Sequence, residues 1–96
     1  MDSTMPSGLE DKFKATVLLF ALSTCAMCKR VKSLLKDLNV EYDFIDVDLL
    51  SRDEKEKAKT EMRKWDPRCP FPMLLVNNSK CVIGDEPEQI RKALEK

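Results

Sequence analysis

The feature that most restricts the fold is a change of hydrophobic pattern just before the first cysteine. Thr16-Val17-Leu18-Leu19-Phe20-Ala21-Leu22 is a near-continuous apolar run. Val31, Leu34, Leu35 and Leu38 then recur at helical spacing, which marks one buried stripe on a helix. A short run that is apolar at successive positions suits a parallel strand covered on both faces. Tyr42 to Val47, rich in aromatic and β-branched residues, reads as a second strand. Strand, helix and strand in that order imply a right-handed parallel unit. Its first junction carries Ser23-Thr24-Cys25-Ala26-Met27-Cys28. The second cysteine lies one turn beyond the first, close enough to close a disulfide with it.

The remaining elements follow from local signals. The first strand is predicted over about Ala15 to Leu22 and the first helix from Cys25 to Leu38, with Asn39 ending it. Ser51-Arg52-Asp53-Glu54 matches a capping box. The helix behind it reaches about Lys64 with a thin apolar stripe of Ala58, Met62 and Trp65, as expected of a solvated outer helix. Three prolines make Asp66 to Pro72 a loop. Met73 to Val76 is a third strand, Asn77 to Lys80 a turn, and Cys81 to Ile83 a fourth strand paired with the third as a hairpin. Gly84 breaks that strand, and Asp85-Glu86-Pro87-Glu88 opens a last helix with an acidic cap and a proline in its first turn. Ile90, Ala93 and Leu94 form its buried face. The predicted order is β-α-β-α-β-β-α: an α/β fold with a four-stranded mixed sheet flanked by three helices.

Composition narrows the function. The 96 residues suit one domain. The 17 basic and 17 acidic residues cancel, whereas a general nucleic-acid binder carries a basic excess. No apolar stretch approaches the ~20 residues of a membrane span. Residues 1–10 are polar with Pro6 and Gly8 and lack the apolar core of a signal peptide. They read as a disordered lead-in to a domain over residues 11–96, and the chain is expected in the cytoplasm. In that reducing compartment, cysteines are catalytic or metal-binding rather than structural. The chain has no histidine, which excludes an imidazole base.

Cys25-Ala26-Met27-Cys28 at a strand–helix junction, Phe71-Pro72 before a hairpin and Ile83-Gly84-Asp85 before the last helix together resemble the glutaredoxin branch of the thioredoxin fold. The resemblance covers almost everything after residue 10. It implies a thiol–disulfide oxidoreductase that reduces protein disulfides, a cis-proline at Pro72 facing the cysteines, and substrate contacts from Thr24, Met27, Phe71, Pro72, Gly84 and Asp85. It further implies a monomer with no bound cofactor. The chain departs from glutathione-using members at three places. Leu22 stands where a basic residue is usual, Pro70-Phe71-Pro72 replaces Thr-Val-Pro, and Gly84 is alone where a glycine pair is usual. Gly84-Asp85-Glu86-Pro87-Glu88-Gln89-Ile90 is closer to NrdH-redoxins. Those are typically re-reduced by thioredoxin reductase and serve ribonucleotide reductase. The electron donor implied is thioredoxin reductase or glutathione. The acidic start of the last helix favours the reductase, because glutathione carries two carboxylates.

A thiol at a helix N-terminus ionises more readily, and the thiolate is the reactive species. Cys25 is therefore expected at the N-cap as the more exposed nucleophile, with Cys28 inside the first turn as the resolving thiol. Lys29 and Arg30 either add positive potential or form a solvated face. The competing reading is a zinc or iron–sulfur module using Cys25 and Cys28 with Cys69, Cys81 or a second subunit. Cys69, in the loop before Pro72, is either a further thiol near the pair or a bystander. Cys81 is expected as a small buried hydrophobe, and Trp65 and Met73 as packing residues.

Overall fold

The computed structural model describes residues 12–95, so the lead-in expected over residues 1–10 lies outside the described residues. The elements are β1 (Val17–Ala21), α1 (Ala26–Asp37), β2 (Asp43–Asp46), a 3-10 turn (Val47–Leu49), α2 (Arg52–Arg63), β3 (Met73–Val76), β4 (Lys80–Ile83) and α3 (Pro87–Leu94). The sheet runs β2-β1-β3-β4. β1 is parallel to β2, Leu18 facing Asp43 and Ala21 facing Asp46. It is antiparallel to β3, Phe20 facing Met73, and β3 and β4 form the expected hairpin.

All five residues of β1 are buried because both faces of the sheet are covered. Val17, Leu19 and Ala21 point to one face, where they meet Val31 and Leu35 of α1 and Ile90 and Ala93 of α3. Leu18 and Phe20 point to the other and meet Ala58 and Met62 of α2, together with Ile45, Val47, Met73 and Leu75. The thin stripe of α2 thus suffices to dock it. Met62 is fully buried, and its truncation to alanine would cost about 2–5 kcal/mol.

Local signals fix the ends. At the C-terminus of α1, Asn39 takes a left-handed conformation (φ 58°). The N–H groups of Asn39 and Val40 then reach the carbonyls of Lys36 and Leu35, both at 3.0 Å, which is a Schellman stop. Asn77 and Asn78 are both left-handed (φ 54° and 55°), and the Ser79 N–H closes the hairpin turn on the Val76 carbonyl at 3.0 Å. Asparagine tolerates this region better than other side chains. Ser51 Oγ accepts the Glu54 N–H at 3.3 Å at the start of α2. Two elements differ from expectation. β2 stops at Asp46, and Val47 begins a 3-10 turn while its side chain stays in the α2-side core. At α3, Glu86 is the N-cap but its side chain makes no capping hydrogen bond. The acidic cap does not form.

Candidate active site

The turn after β1 delivers both cysteines. The Cys25 N–H donates to the Leu22 carbonyl at 3.1 Å, closing a turn over Ser23 and Thr24. Cys25 then sits at the N-cap of α1 with extended backbone (φ −85°, ψ 117°). Its Sγ accepts the Cys28 N–H at 3.2 Å. The thiol thus takes the role that Ser, Thr or Asp usually plays at this position, and a backbone dipole points at the sulfur. Cys25 is half-buried, whereas Cys28 is 0% exposed. Burial pushes the Cys28 thiol up to about 11, and its contact with Cys25 adds to the shift. Cys25 is thus the more exposed thiol of the pair and Cys28 the more buried.

Topology gathers the other predicted residues at this end of the sheet. Because Phe20 faces Met73, the preceding Phe71 and Pro72 lie beside the residues that lead into Cys25. Phe71 packs against the same core cluster as Cys25. The Phe71–Pro72 bond is cis. Gly84, next along the sheet, donates its N–H to the Pro72 carbonyl at 3.0 Å. It holds φ at 91°, and a Cβ there would meet nothing within 4 Å, so the requirement for glycine is one of backbone conformation, not of space. Thr24 and Met27 are exposed beside the cysteines, Met27 by 37%.

Asp85 is not a free contact. Its carboxylate accepts the Arg30 Nε–H at 2.6 Å, tying the start of α3 to α1, and the guanidinium holds the carboxyl below its usual range. Arg30 is thereby committed, while Lys29 is exposed. A groove of about 430 Å³ runs between α1 and α3 beside this ion pair, floored by Val31, Leu34 and Ile90.

Cys69 does not approach the pair. It packs on the α2 face of the sheet, and its Sγ faces the Lys59 carbonyl at 3.7 Å. Cys81 packs on that face as well and is half-buried rather than fully buried. A metal site that joins either of them to Cys25 and Cys28 within one chain does not fit this arrangement. Among the described residues no three His, Cys, Asp or Glu side chains converge on a point that could hold a metal.

Asp48 was not singled out by the sequence. Its carboxylate accepts the Ser23 N–H at 2.8 Å and the Ser23 hydroxyl at 2.5 Å, which holds its carboxyl below the usual range. The only hint in the sequence is an acidic residue just after a parallel strand.

Residues 17–81 match the glutaredoxin family model. The chain belongs to the glutaredoxin family. Members of the family are thiol–disulfide oxidoreductases, and the matched stretch contains Cys25, Cys28, Phe71 and Pro72. Glutaredoxin 1 of Rickettsia prowazekii is 32% identical over 63 residues, 66% of this chain and 63% of that protein, so the alignment spans less than two thirds of the relative. The crystal structure of the methanoredoxin of Methanosarcina acetivorans superposes with a TM-score of 0.80 at 36% identity, covering 86% of this chain and 87% of that one. The Escherichia coli NrdH-redoxin, described as glutaredoxin-like with a thioredoxin-like activity profile, superposes at 0.66 with 18% identity over 83% of this chain and 95% of that one. At that identity it speaks for a shared glutaredoxin fold alone. No helix among the described residues is long and apolar enough to cross a membrane.

Proposed function

We propose that the chain reduces protein disulfides through a Cys25–Cys28 dithiol. The observation that carries this reading is the Cys28 N–H aimed at the Cys25 sulfur at 3.2 Å, with Cys28 itself buried. That donor holds the Cys25 sulfur at the start of α1, where the more exposed thiol of the pair can meet a substrate. The Cys25 thiolate attacks one sulfur of the substrate disulfide. A Cys25–substrate disulfide forms, and the other substrate sulfur leaves as a thiolate that takes a proton. Cys28 then gives up its proton and attacks the Cys25 sulfur, which expels the second substrate thiol. The products are a reduced substrate and a Cys25–Cys28 disulfide, two electrons having passed from the protein to the substrate. In the reduced state Cys28 is held protonated, so it stays silent until Cys25 is engaged.

The backbone of Phe71, just ahead of Pro72 and beside the turn that presents Cys25, is the surface offered to an extended substrate segment, with Thr24, Met27 and Gly84 around it. For the electron donor we favour a protein reductase such as thioredoxin reductase over glutathione. Leu22 supplies no cation, Arg30 is already paired with Asp85, and Glu86 and Glu88 stand exposed at the start of α3. A tripeptide with two carboxylates finds few unpaired cationic partners there. We place the protein in a reducing compartment such as the cytoplasm, where its thiols would persist.

The experiment supplies wild-type protein with either donor system and follows reduction of a disulfide substrate. Turnover is expected to be faster with thioredoxin reductase. Saturable turnover at low millimolar glutathione that matches or exceeds it would overturn the choice of donor. No turnover even with dithiothreitol would overturn the reading as a whole.

A further inference from the structure

We propose that Asp48 is a positioning residue for Cys25, acting through Ser23 to hold the turn that presents the thiol. The inference rests on the proposed role of Cys25 and adds a residue outside the CxxC segment to it. Ser23 and Thr24 are the two central residues of the turn closed by the Cys25 N–H on the Leu22 carbonyl. That bond closes the turn without touching the polar groups of Ser23 itself. Asp48 holds them from outside, with one carboxylate oxygen on the Ser23 N–H at 2.8 Å and the other on its hydroxyl at 2.5 Å. A two-point clamp of this kind fixes direction as well as distance.

The clamp is anchored on rigid structure. Asp48 lies two residues beyond Asp46, which faces Ala21 in the parallel β1–β2 pairing. The flanking Val47 is buried in the α2-side core. Asp48 itself is exposed, so it contributes little to the core, and its loss is not expected to unfold the protein. What it controls is where the chain stands two residues before the N-cap. If Ser23 drifts, Cys25 drifts with it, and the 3.2 Å contact from the Cys28 N–H to Sγ lengthens. The charged groups facing this region are Lys55 of α2, near Asp48, and Lys32 of α1, near Cys28.

Positioning and plain charge predict different outcomes. Asp48→Ala removes both the clamp and the charge, whereas Asp48→Asn removes the charge and can keep both contacts, its Oδ1 accepting the Ser23 N–H and its Nδ2–H donating to the Ser23 hydroxyl. The test measures the rate of Cys25 alkylation by iodoacetamide at pH 7 in both variants, with the modified peptide quantified by mass spectrometry. Asp48→Ala is expected to slow alkylation by about fivefold, the size that corresponds to a net hydrogen bond, and Asp48→Asn to restore a rate near that of the wild type. Thermal unfolding should change little. Alkylation that is not slowed in Asp48→Ala, or that is slowed as much in Asp48→Asn, overturns the proposal, whether or not thermal stability drops. The readout does not use turnover, so a wild-type protein that fails to reduce disulfides counts against the proposed function and leaves this measurement intact.

Discussion

On the α1/α3 face of the sheet, Cys25 caps a helix and receives the Cys28 N–H at 3.2 Å. On the α2 face, Cys69 sits in a loop with its sulfur toward the Lys59 carbonyl at 3.7 Å. Burial pushes the Cys81 thiol up, and the negative charge of Asp66 adds to that. The four residues are chemically identical, and three of them, Cys25, Cys69 and Cys81, are similarly half-buried. What separates them is the partner each sulfur meets: a backbone N–H for Cys25, a carbonyl for Cys69, and for Cys81 burial beside the charge of Asp66. Exposure alone does not tell these three thiols apart.

The largest effect expected from this contrast comes from removing the thiols one at a time. Cys25→Ser should abolish disulfide reduction, whereas Cys69→Ser and Cys81→Ser should retain most of it. Substrate turnover by the three variants, each reduced beforehand, makes the comparison. A Cys69→Ser variant as inactive as Cys25→Ser would show that the two faces are coupled after all.

A smaller effect concerns stability at high pH. Folding raises the Cys28 thiol to about 11 from an ordinary value of 9.0. A raised value means that the folded state holds its proton while the unfolded chain has lost it. The resulting stability is full below about pH 9 and is lost as pH rises toward 11, by on the order of 2 kcal/mol in all. Urea unfolding of reduced protein at pH 8 and pH 10.5 should show the loss, and Cys28→Ala should remove most of this slope. An unchanged slope in that variant would assign the effect to other groups.

The smallest effect lies on the α2 face. The Arg68 guanidinium and backbone N–H hold Asp66 down to about 2, through contacts of 2.7, 3.0 and 3.1 Å. A depressed carboxylate stabilises the fold above its ordinary range and loses that contribution as pH falls through the folded value. Arg68→Ala should therefore shift the acid side of the stability profile to higher pH, with little change at pH 7 in turnover. Acid titration followed by circular dichroism reads it. A variant that loses turnover at neutral pH would mean that this loop reaches the Cys25 face.

Much of this molecule is written in local chemistry. The apolar run of β1, the helical repeat of Val31, Leu34, Leu35 and Leu38, the stop at Asn39 and the serine cap at Ser51 each act within a few residues. A linear reading therefore gave the order of elements and the mixed sheet, and it placed Cys25 at the N-cap. The cis bond at Pro72 was legible by resemblance alone. The acidic cap expected on α3 did not form: Glu86 takes the N-cap position without a side-chain capping bond, and Asp85 is paired with Arg30, 55 residues earlier in the chain. The sequence left open whether Cys69 stands near the pair or apart from it, because nearness in sequence to Pro72 says nothing about which face of the sheet a loop residue joins; it stands apart.

The sequence by itself determined which segments are strands and helices, and which thiol stands at a helix start. These depend on side-chain spacing and on backbone groups within one turn. Tertiary structure decided which thiols share a face, that Arg30 is tied to Asp85, and that Asp48 reaches Ser23 across 25 residues. The physical reason is that the partners of a polar side chain are set by the path of the chain through space. That path is fixed by burying the two faces of β1, an event to which Asp48, exposed in the middle of the 3-10 turn, contributes almost nothing.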